Sequence, residues 1–467
     1  MRLSPFLWLV MSCGGPGGRS IPSPDDTNDP PDTDQPNTFP TATVPVLEAS
    51  CELDPANALR VRCIVDVDPP TPVQIAFEPE DGSRPTLVRS GEASLPHHEI
   101  GLYFMSADTP YRWTASVIGP AQVRVDGVVT TGSLPAEVED VIGVSTGTST
   151  ADGFLMLSVC SWTTAIVVDA TGQVLWYEAP GQSFIESLIL TEDDTLMAQQ
   201  DSQIVHLSWM GDTLFDVTLE GATLHHDLFR KGGLNYALFS AVESANGHQY
   251  LMDGFHIFDD SGAVLETWKL IDHFTPPDDP LVPEGIIDYS HANAIFVQDD
   301  GDILLSFRHL SSVVKINGDL ADPDFGEIRW QLTGDPSESD FPSDFSLTSS
   351  AGTSPDFMQQ HNVHLRADGR LGMLDNRRDE NGRVSILTLD ESTMQADIEQ
   401  SWELDLSCPF QGSAWPTSAG NPVGACATPR TAKEFDVNGG ALSIYTLEMD
   451  CAGDDRFYAP RFIPLTF

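Results

Sequence analysis

The feature that most constrains this chain is a unit that recurs from about residue 137 to the end: a short apolar run, a turn of acidic residues or glycine, and a second apolar run. One version spans 189–196 around Glu192-Asp193-Asp194, 228–236 around Gly232-Gly233, 295–303 around Asp299-Asp300-Gly301, 364–371 around Asp368-Gly369, and 435–442 around Gly439-Gly440. A second version, with an aromatic residue on its return run, alternates with the first at 167–176, 207–215, 257–268, 315–330 and 387–402. Such turn residues accept the left-handed backbone of a tight hairpin, so each unit predicts two antiparallel strands. An inner hairpin followed by an outer one makes a four-stranded blade, and the alternation predicts a six-bladed β-propeller over residues 137–467. The chain is therefore expected to be all-β.

Residues 45–136 have a different rhythm, with short alternating runs such as Arg60-Val61-Arg62-Cys63-Ile64-Val65 and Tyr111-Arg112-Trp113-Thr114-Ala115 between Pro, Gly and Asp turns. They predict a β-sandwich that resembles a fibronectin type III module. Its His97-His98 pair reads as surface histidines in a loop. Residues 14–44, rich in Pro, Asp and Thr, are too poor in apolar side chains to bury a core and read as a tether. Residues 1–13 read as an export signal ending in Val10-Met11-Ser12-Cys13, which resembles a bacterial lipobox and makes Cys13 the expected lipidation site. Localisation to a bacterial cell envelope, with membrane attachment by lipid alone, follows from that reading.

Asp and Glu number 70 against 23 Lys and Arg, a net charge of -47 that repels nucleic-acid phosphates, so no nucleic-acid partner is expected. An anionic small molecule needs a local positive patch, and only His and Arg clusters offer one. Setting Cys13 aside leaves six of the seven cysteines. Cys51 and Cys63 flank one apparent hairpin, Cys408 and Cys426 flank one loop, and a Cys160–Cys451 pair would tie the first blade to the last. Six cysteines allow many connectivities, and these local pairs are a preference among them. None has zinc spacing.

Histidine is scarce, 12 in 467 residues, yet His225, His226, His291, His309, His361 and His364 all border strand-like runs with the same turn signal. Superposing Asp299-Asp300-Gly301 on Ala367-Asp368-Gly369 sets His361 on Asn293. Strand periodicity then places His291 and Asn293 on one face. The neighbouring unit brings His226 to the same level, with His225 one residue off in register. Arg308, at the far end of the strand that His291 begins, is a natural anion clamp.

These pieces, His225-His226-Asp227, Asp288-Tyr289-Ser290-His291-Ala292-Asn293, Ser306-Phe307-Arg308-His309, Gln360-His361 and Leu374-Asp375-Asn376, resemble the bacterial arylsulfate sulfotransferase family, whose members are periplasmic six-bladed propellers. The resemblance runs from about residue 140 to 405 and departs at Phe307, where the family more often has serine. It implies that His361 is a nucleophile forming a sulfohistidine. It further implies that His226, His291 and Arg308 bind and polarise the sulfuryl group, with Asn293 and His225 as further substrate contacts. The implied reactants are an aryl sulfate donor and a phenol acceptor, with no cofactor and no metal; a homodimer is an open possibility.

Sulfuryl transfer needs an in-line nucleophile, cationic donors on the equatorial oxygens and a proton for the leaving oxygen. A neutral imidazole, an arginine fork and a second histidine meet those needs. Two other readings stand beside this one. A non-catalytic, lipid-anchored surface propeller for adhesion or ligand binding is motivated by the tether and the sandwich. A metal-dependent hydrolase is disfavoured because acidic ligands at fixed spacing to the histidines are missing. His309 and His364 read as structural, His256 and His273 as packing or surface groups, and Asp375-Asn376 as a turn.

Overall fold

The computed structural model describes residues 45–463 apart from 120–122, 137, 139–141, 148–153, 160–162, 180–184, 222, 279–286, 338, 379, 418 and 448–457. The export signal, the tether, Cys13 and the Cys160–Cys451 pairing lie outside the described residues. The fold is all-β. A 3-10 turn at Leu270–Asp272 is the only helical element among the described residues, and no helix there is long and apolar enough to cross a membrane.

The first seven strands form two sheets. One is ordered Val46–Leu53, Val61–Asp68, His97–Leu102; the other is ordered Leu87–Gly91, Val73–Pro79, Pro110–Val117, Arg124–Thr130. Strict alternation buries Val61, Cys63, Val65 and Val67 and exposes the residues between them. Tyr111, Trp113, Ala115 and Val117 do the same on the facing sheet. Each fully buried side chain of this size contributes roughly 1.5–3 kcal/mol. The Tyr111 hydroxyl accepts the Ser106 amide at 2.8 Å and pins the corner before its strand. Cys51 and Cys63 are directly opposite on adjacent strands and form a disulfide. The His97-His98 pair lies in a strand, not a loop. His97 is exposed beside Asp66, whereas His98 is buried with Nε2 3.0 Å from both Thr71 O and Leu95 O.

These two sheets pack on the strands that follow through Arg60, which donates to Met210 O and Tyr177 O and pairs with Glu178 at 2.6 Å. Its guanidinium also lies over the Trp176 ring.

Among the described residues six sheets follow, antiparallel except where Ile287–Asp288 lies parallel to His248–Phe258 and Ser346–Ser349 lies parallel to Gln395–Ser407. Their innermost strands are Tyr458–Ile463, Ser187–Leu190, Thr223–Lys231, Ala292–Val297, His361–Leu365 and Ser413–Pro416. Each touches the next, and the last touches the first, so these strands form a closed cycle. The chain ends are shared out: Ile142–Gly147 pairs with Ala441–Leu447 of the last sheet, while Tyr458–Ile463 pairs with Phe154–Val159 of the first. Backbone ladders thus join first and last sheets.

The hairpins expected at 189–196, 228–236, 295–303 and 364–371 are inner pairs, and the second version supplies the outer pairs. The unit at 435–442 is an exception. It joins the third and fourth strands of its sheet, whose inner pair is Ser413–Pro416 with Pro422–Cys426. Its backbone turn, Asp436 amide to Gly440 O and Gly439 amide to Asp436 O, is that of the inner hairpins too, but the Asp436 carboxylate accepting the Asn438 amide matches the outer turns at Asp169, Asp259 and Asp390.

Candidate active site

Three consecutive inner strands are irregular where the sequence concentrates histidine. Pairing jumps between Leu224 and Leu228, between Ala292 and Ala294, and between His361 and His364. Such bulges release residues from the ladder and re-aim their side chains. At or beside each, a residue with a Cβ takes left-handed backbone: His226 (φ 63), His291 (φ 50), Gln359 (φ 55) and Asn362 (φ 52). That conformation costs on the order of 1–2 kcal/mol per residue and persists only where the surroundings enforce it. The enforcing contacts run between sheets. Asp227 Oδ2 accepts the Ile295 amide at 3.0 Å, Asn293 Nδ2 donates to Gln360 O at 2.7 Å, and Asn362 Oδ1 accepts the Ala414 amide at 3.1 Å.

This geometry corrects two expectations. His291 and Asn293 do not share a face by strand periodicity, because His291 precedes the strand in left-handed backbone and Asn293 sits in the bulge. Asn293 is buried, with its amide nitrogen on Gln360 O and its Oδ1 without a hydrogen-bond partner among the described residues. Arg308 is not at a far end either. The hairpin returns it beside His291, whose carbonyl accepts the Arg308 amide at 3.0 Å.

His361 is buried at the start of its strand. Gln360 seats it, donating from Nε2 to Ser306 Oγ, Phe307 O and Ser312 O on the neighbouring sheet. Asn376 donates its amide hydrogens to Cys408 O (2.8 Å) and Gln411 O (2.9 Å), so its Oδ1 accepts from His361 Nδ1 at 2.8 Å. The His361 tautomer follows: Nδ1 carries the proton and Nε2 holds a lone pair, which meets the Gln411 amide at 3.1 Å. Burial, and then the Arg308 cation, push the His361 pKa down to about 3, against a smaller opposing effect of Asn376. The ring is neutral at ordinary pH.

Arg308 shares its supports with His361. One of its terminal nitrogens donates to Gln359 Oε1 (3.1 Å) and Pro409 O (3.0 Å), and its buried Nε has no hydrogen-bond partner among the described residues. The disulfide Cys408–Cys426 anchors the segment that supplies Pro409 O and the Gln411 amide.

A row of rings completes the cluster. His225 and His226 face each other through their Nδ1 atoms at 2.8 Å. The His226 and His291 ring centroids are 4.8 Å apart, and those of His291 and His309 are 4.5 Å apart. His225 Nε2 lies 2.8 Å from Asp253 Oδ1. Burial opposes protonation of His225, but Asp253 and then Glu186 outweigh it and raise its pKa. Burial drives His226 well below the ordinary histidine value, assisted by His225 and His291. His291 Nδ1 lies 2.5 Å from Asp288 Oδ2, and His309 Nδ1 donates to Asp288 O at 2.6 Å.

His226, His291, Arg308 and His361 are thus brought together, with His225 behind His226 and Asn293 at the seam towards Gln360. His309 belongs to the row, contrary to its structural reading. His364 does not; it stacks on Trp415 at 4.3 Å. Reading Asp375-Asn376 as a turn is overturned as well. Asp375 closes a buried ion pair with Arg383, and Asn376 orients His361. Carboxylate partners are also present, as Asp253 and Asp288, although no spacing rule finds Asp253. Asp288, His291 and His309 present ligand-capable atoms within 4.8 Å of one another, a closeness that their mutual hydrogen bonds explain.

The chain matches the family model described as Arylsulfotransferase (ASST) over residues 125–396, more than half its length, and belongs to that family. Among curated proteins none matches. Similar solved structures include a protein of unknown function from Bacteroides caccae, 9% identical, with a TM-score of 0.44 and coverage of 67% of this chain and 98% of that one. A virginiamycin B lyase from Staphylococcus aureus is 10% identical, with a TM-score of 0.37 and coverage of 67% and 90%. A structure described as the Dos1 propeller is 10% identical, with a TM-score of 0.32 and coverage of 65% and 78%.

Proposed function

We propose that the protein moves a sulfuryl group from an aryl sulfate ester to a phenol through a sulfohistidine on His361, without metal or nucleotide. The observation that carries this reading is the Asn376–His361 hydrogen bond, which puts the lone pair on Nε2 beside a desolvated arginine; the Gln411 amide holds that lone pair at 3.1 Å and must yield it to the sulfur. Nε2 attacks sulfur as the S–O(aryl) bond breaks, and the departing phenolate takes a proton from His226 or His291. The sulfonated ring bears positive charge, and Asn376 Oδ1 stabilises it by accepting the Nδ1 proton. An incoming phenol then gives its proton to the same histidine and attacks sulfur as the N–S bond breaks. Arg308, through its Nε, binds the equatorial oxygens, Asn293 lines the pocket, and His225 backs His226.

The same reading divides the chain into a fibronectin type III-like sandwich (residues 45–136) and a six-bladed propeller (residues 137–467). The two-sheet strand order and the cycle of inner strands support that division. Export to a cell envelope and anchoring through Cys13 belong to it too, and two disulfides suit an oxidising compartment.

The test is incubation with a chromogenic aryl sulfate carrying labelled sulfur, with and without a phenol acceptor. Acceptor-dependent phenol release, and label trapped on a His361 peptide, are expected. Failure to turn over any of a panel of aryl sulfates, or full activity in a folded His361→Ala protein, overturns the reading.

A further inference from the structure

We propose that Asp253 is a positioning residue that directs the His225–His226 pair, so that His226 presents an Nε2–H as the proton donor to the departing oxygen. The inference rests on the sulfuryl-transfer reading for its catalytic consequence, but not for its hydrogen-bond assignment.

Asp253 lies on the strand His248–Phe258, the third of its sheet, and is buried. Its two oxygens have different tasks. Oδ2 accepts the Ala292 amide at 2.8 Å and the Ser290 hydroxyl, and so grips the segment on both sides of His291. Oδ1 lies 2.8 Å from His225 Nε2, an ion-pair distance, although it is off the line of a directed hydrogen bond. One carboxylate therefore fixes two histidines that approach from different inner strands.

The direction of the His225–His226 contact follows by elimination. Two Nδ1 atoms at 2.8 Å share a single proton, so one donates and the other accepts. His225 has Asp253 at its Nε2, with Glu186 and Asp288 as further negative neighbours, and is favoured as the imidazolium. Both its nitrogens then carry hydrogen, and its Nδ1–H is the donor. His226, buried among His225, His291, His361 and Arg308, stays neutral. With its Nδ1 lone pair engaged, its one proton sits on Nε2; as that proton passes to the departing oxygen, the His225 Nδ1 proton crosses to His226 Nδ1, so both rings end neutral and no imidazolate forms. Without Asp253 the carboxylate in contact with His225 is lost and only the more distant Glu186 and Asp288 favour this direction; the opposite one leaves His226 Nε2 without a hydrogen to give.

The experiment uses full-length protein labelled with 15N-histidine, the wild type beside Asp253→Asn and His225→Gln, with stability monitored by thermal unfolding. At neutral pH the imidazole 15N spectrum of the wild type is expected to contain a His225 imidazolium and a His226 Nε2–H tautomer, assigned by difference against His225→Gln and His226→Gln. In Asp253→Asn the imidazolium signal should disappear. Asparagine still accepts from Ser290 and Ala292, and His225→Gln leaves Asp253 gripping that segment, so the two variants separate tautomer control from segment anchoring. A wild type without a His225 imidazolium, or one that persists in Asp253→Asn, overturns the proposal.

The kinetic arm compares aryl sulfates of graded phenol basicity. Losing an oriented proton donor should cost about 10–100-fold with basic leaving phenols and little with an acidic one such as 4-nitrophenol. An equal loss across the series indicates mere structural damage and overturns the assigned role. Absence of turnover by the wild type counts against the sulfuryl-transfer reading, while the 15N arm still decides the assignment.

Discussion

Asn376 Oδ1 lies 2.8 Å from His361 Nδ1 while the Asn376 amide nitrogen is committed to Cys408 O and Gln411 O, so the amide cannot flip and the imidazole has one tautomer. Asn376→Ala should lower the rate of sulfohistidine formation by about 10–100-fold with little change in the folded state's spectrum. Asn376→Asp should do something different. A carboxylate at that place stabilises the imidazolium and raises the His361 pKa, moving the acid limb of the rate profile upward. Single-turnover kinetics against pH for both variants check this.

Arg308 offers the site a fork whose Nε has no hydrogen-bond partner among the described residues. Arg308→Lys keeps the charge but loses that geometry, and one charge-assisted contact corresponds to about 10–100-fold. We expect the loss mainly in kcat/KM for the sulfate donor, measured by steady-state kinetics, with a larger loss for Arg308→Ala.

Burial and then Arg308 hold His361 down to about 3, and burial and then His291 hold His309 down to about 4. Both values lie below the unfolded value of about 6.5, so between these limits the unfolded chain binds protons that the folded chain refuses. Their contribution is complete above about pH 6.5 and is lost as pH falls towards 4 and then 3. Denaturant unfolding at about pH 7.5 and about pH 5 should show lower stability at the lower value, and His361→Gln should reduce the difference.

The two disulfides should differ in consequence. Cys408–Cys426, 18 residues apart in sequence, holds the segment that gives Pro409 O to Arg308 and the Gln411 amide to His361. Gly412 in that segment has φ 97, and a Cβ there would lie 2.3 Å from Ala425 O, so the segment has little freedom of its own. Replacing both cysteines by serine should cost about 3 kcal/mol of stability and lower activity as well. Replacing Cys51 and Cys63, remote from the site, should cost stability and spare kcat. Thermal unfolding and initial rates on the two double variants make the comparison.

The transfer reading also implies indifference to metal removal. Exhaustive chelation should leave phenol release unchanged; a loss restored by one divalent ion would instead assign chemistry to Asp288, His291 and His309, whose ligand atoms are within 4.8 Å.

Much of the architecture was legible because each hairpin repeats one turn chemistry, which identified nine of ten units by whether they were inner or outer pairs. The unit at 435–442 misled because inner and outer turns share one backbone geometry and its paired glycines resemble those of the inner turn at 232–233, whereas its opening Asp436 is the residue type of the outer turns. The site was legible in part. His226, His291, Arg308 and His361 announce themselves as rare or cationic residues next to repeated turns. Asp253 does not, since it reaches His225 from the third strand of its sheet, across 28 residues of sequence. Asn376 looked like a turn residue because asparagine at a strand end usually is one. Left-handed backbone at His226 and His291 was also hidden, because it is enforced by Asp227, Asp253 and their partners on adjoining strands.

The exchange of strands between the first and last sheets sets an order of events in biosynthesis. Phe154–Val159 is made before the strand that belongs beside it, Tyr458–Ile463, which follows all the intervening sheets. Until then Ser187–Leu190 has no inner neighbour on one side, and the cycle stays open. A nascent chain that has not yet released Tyr458–Ile463 therefore carries an unpaired edge at Phe154–Val159 that invites association with other chains.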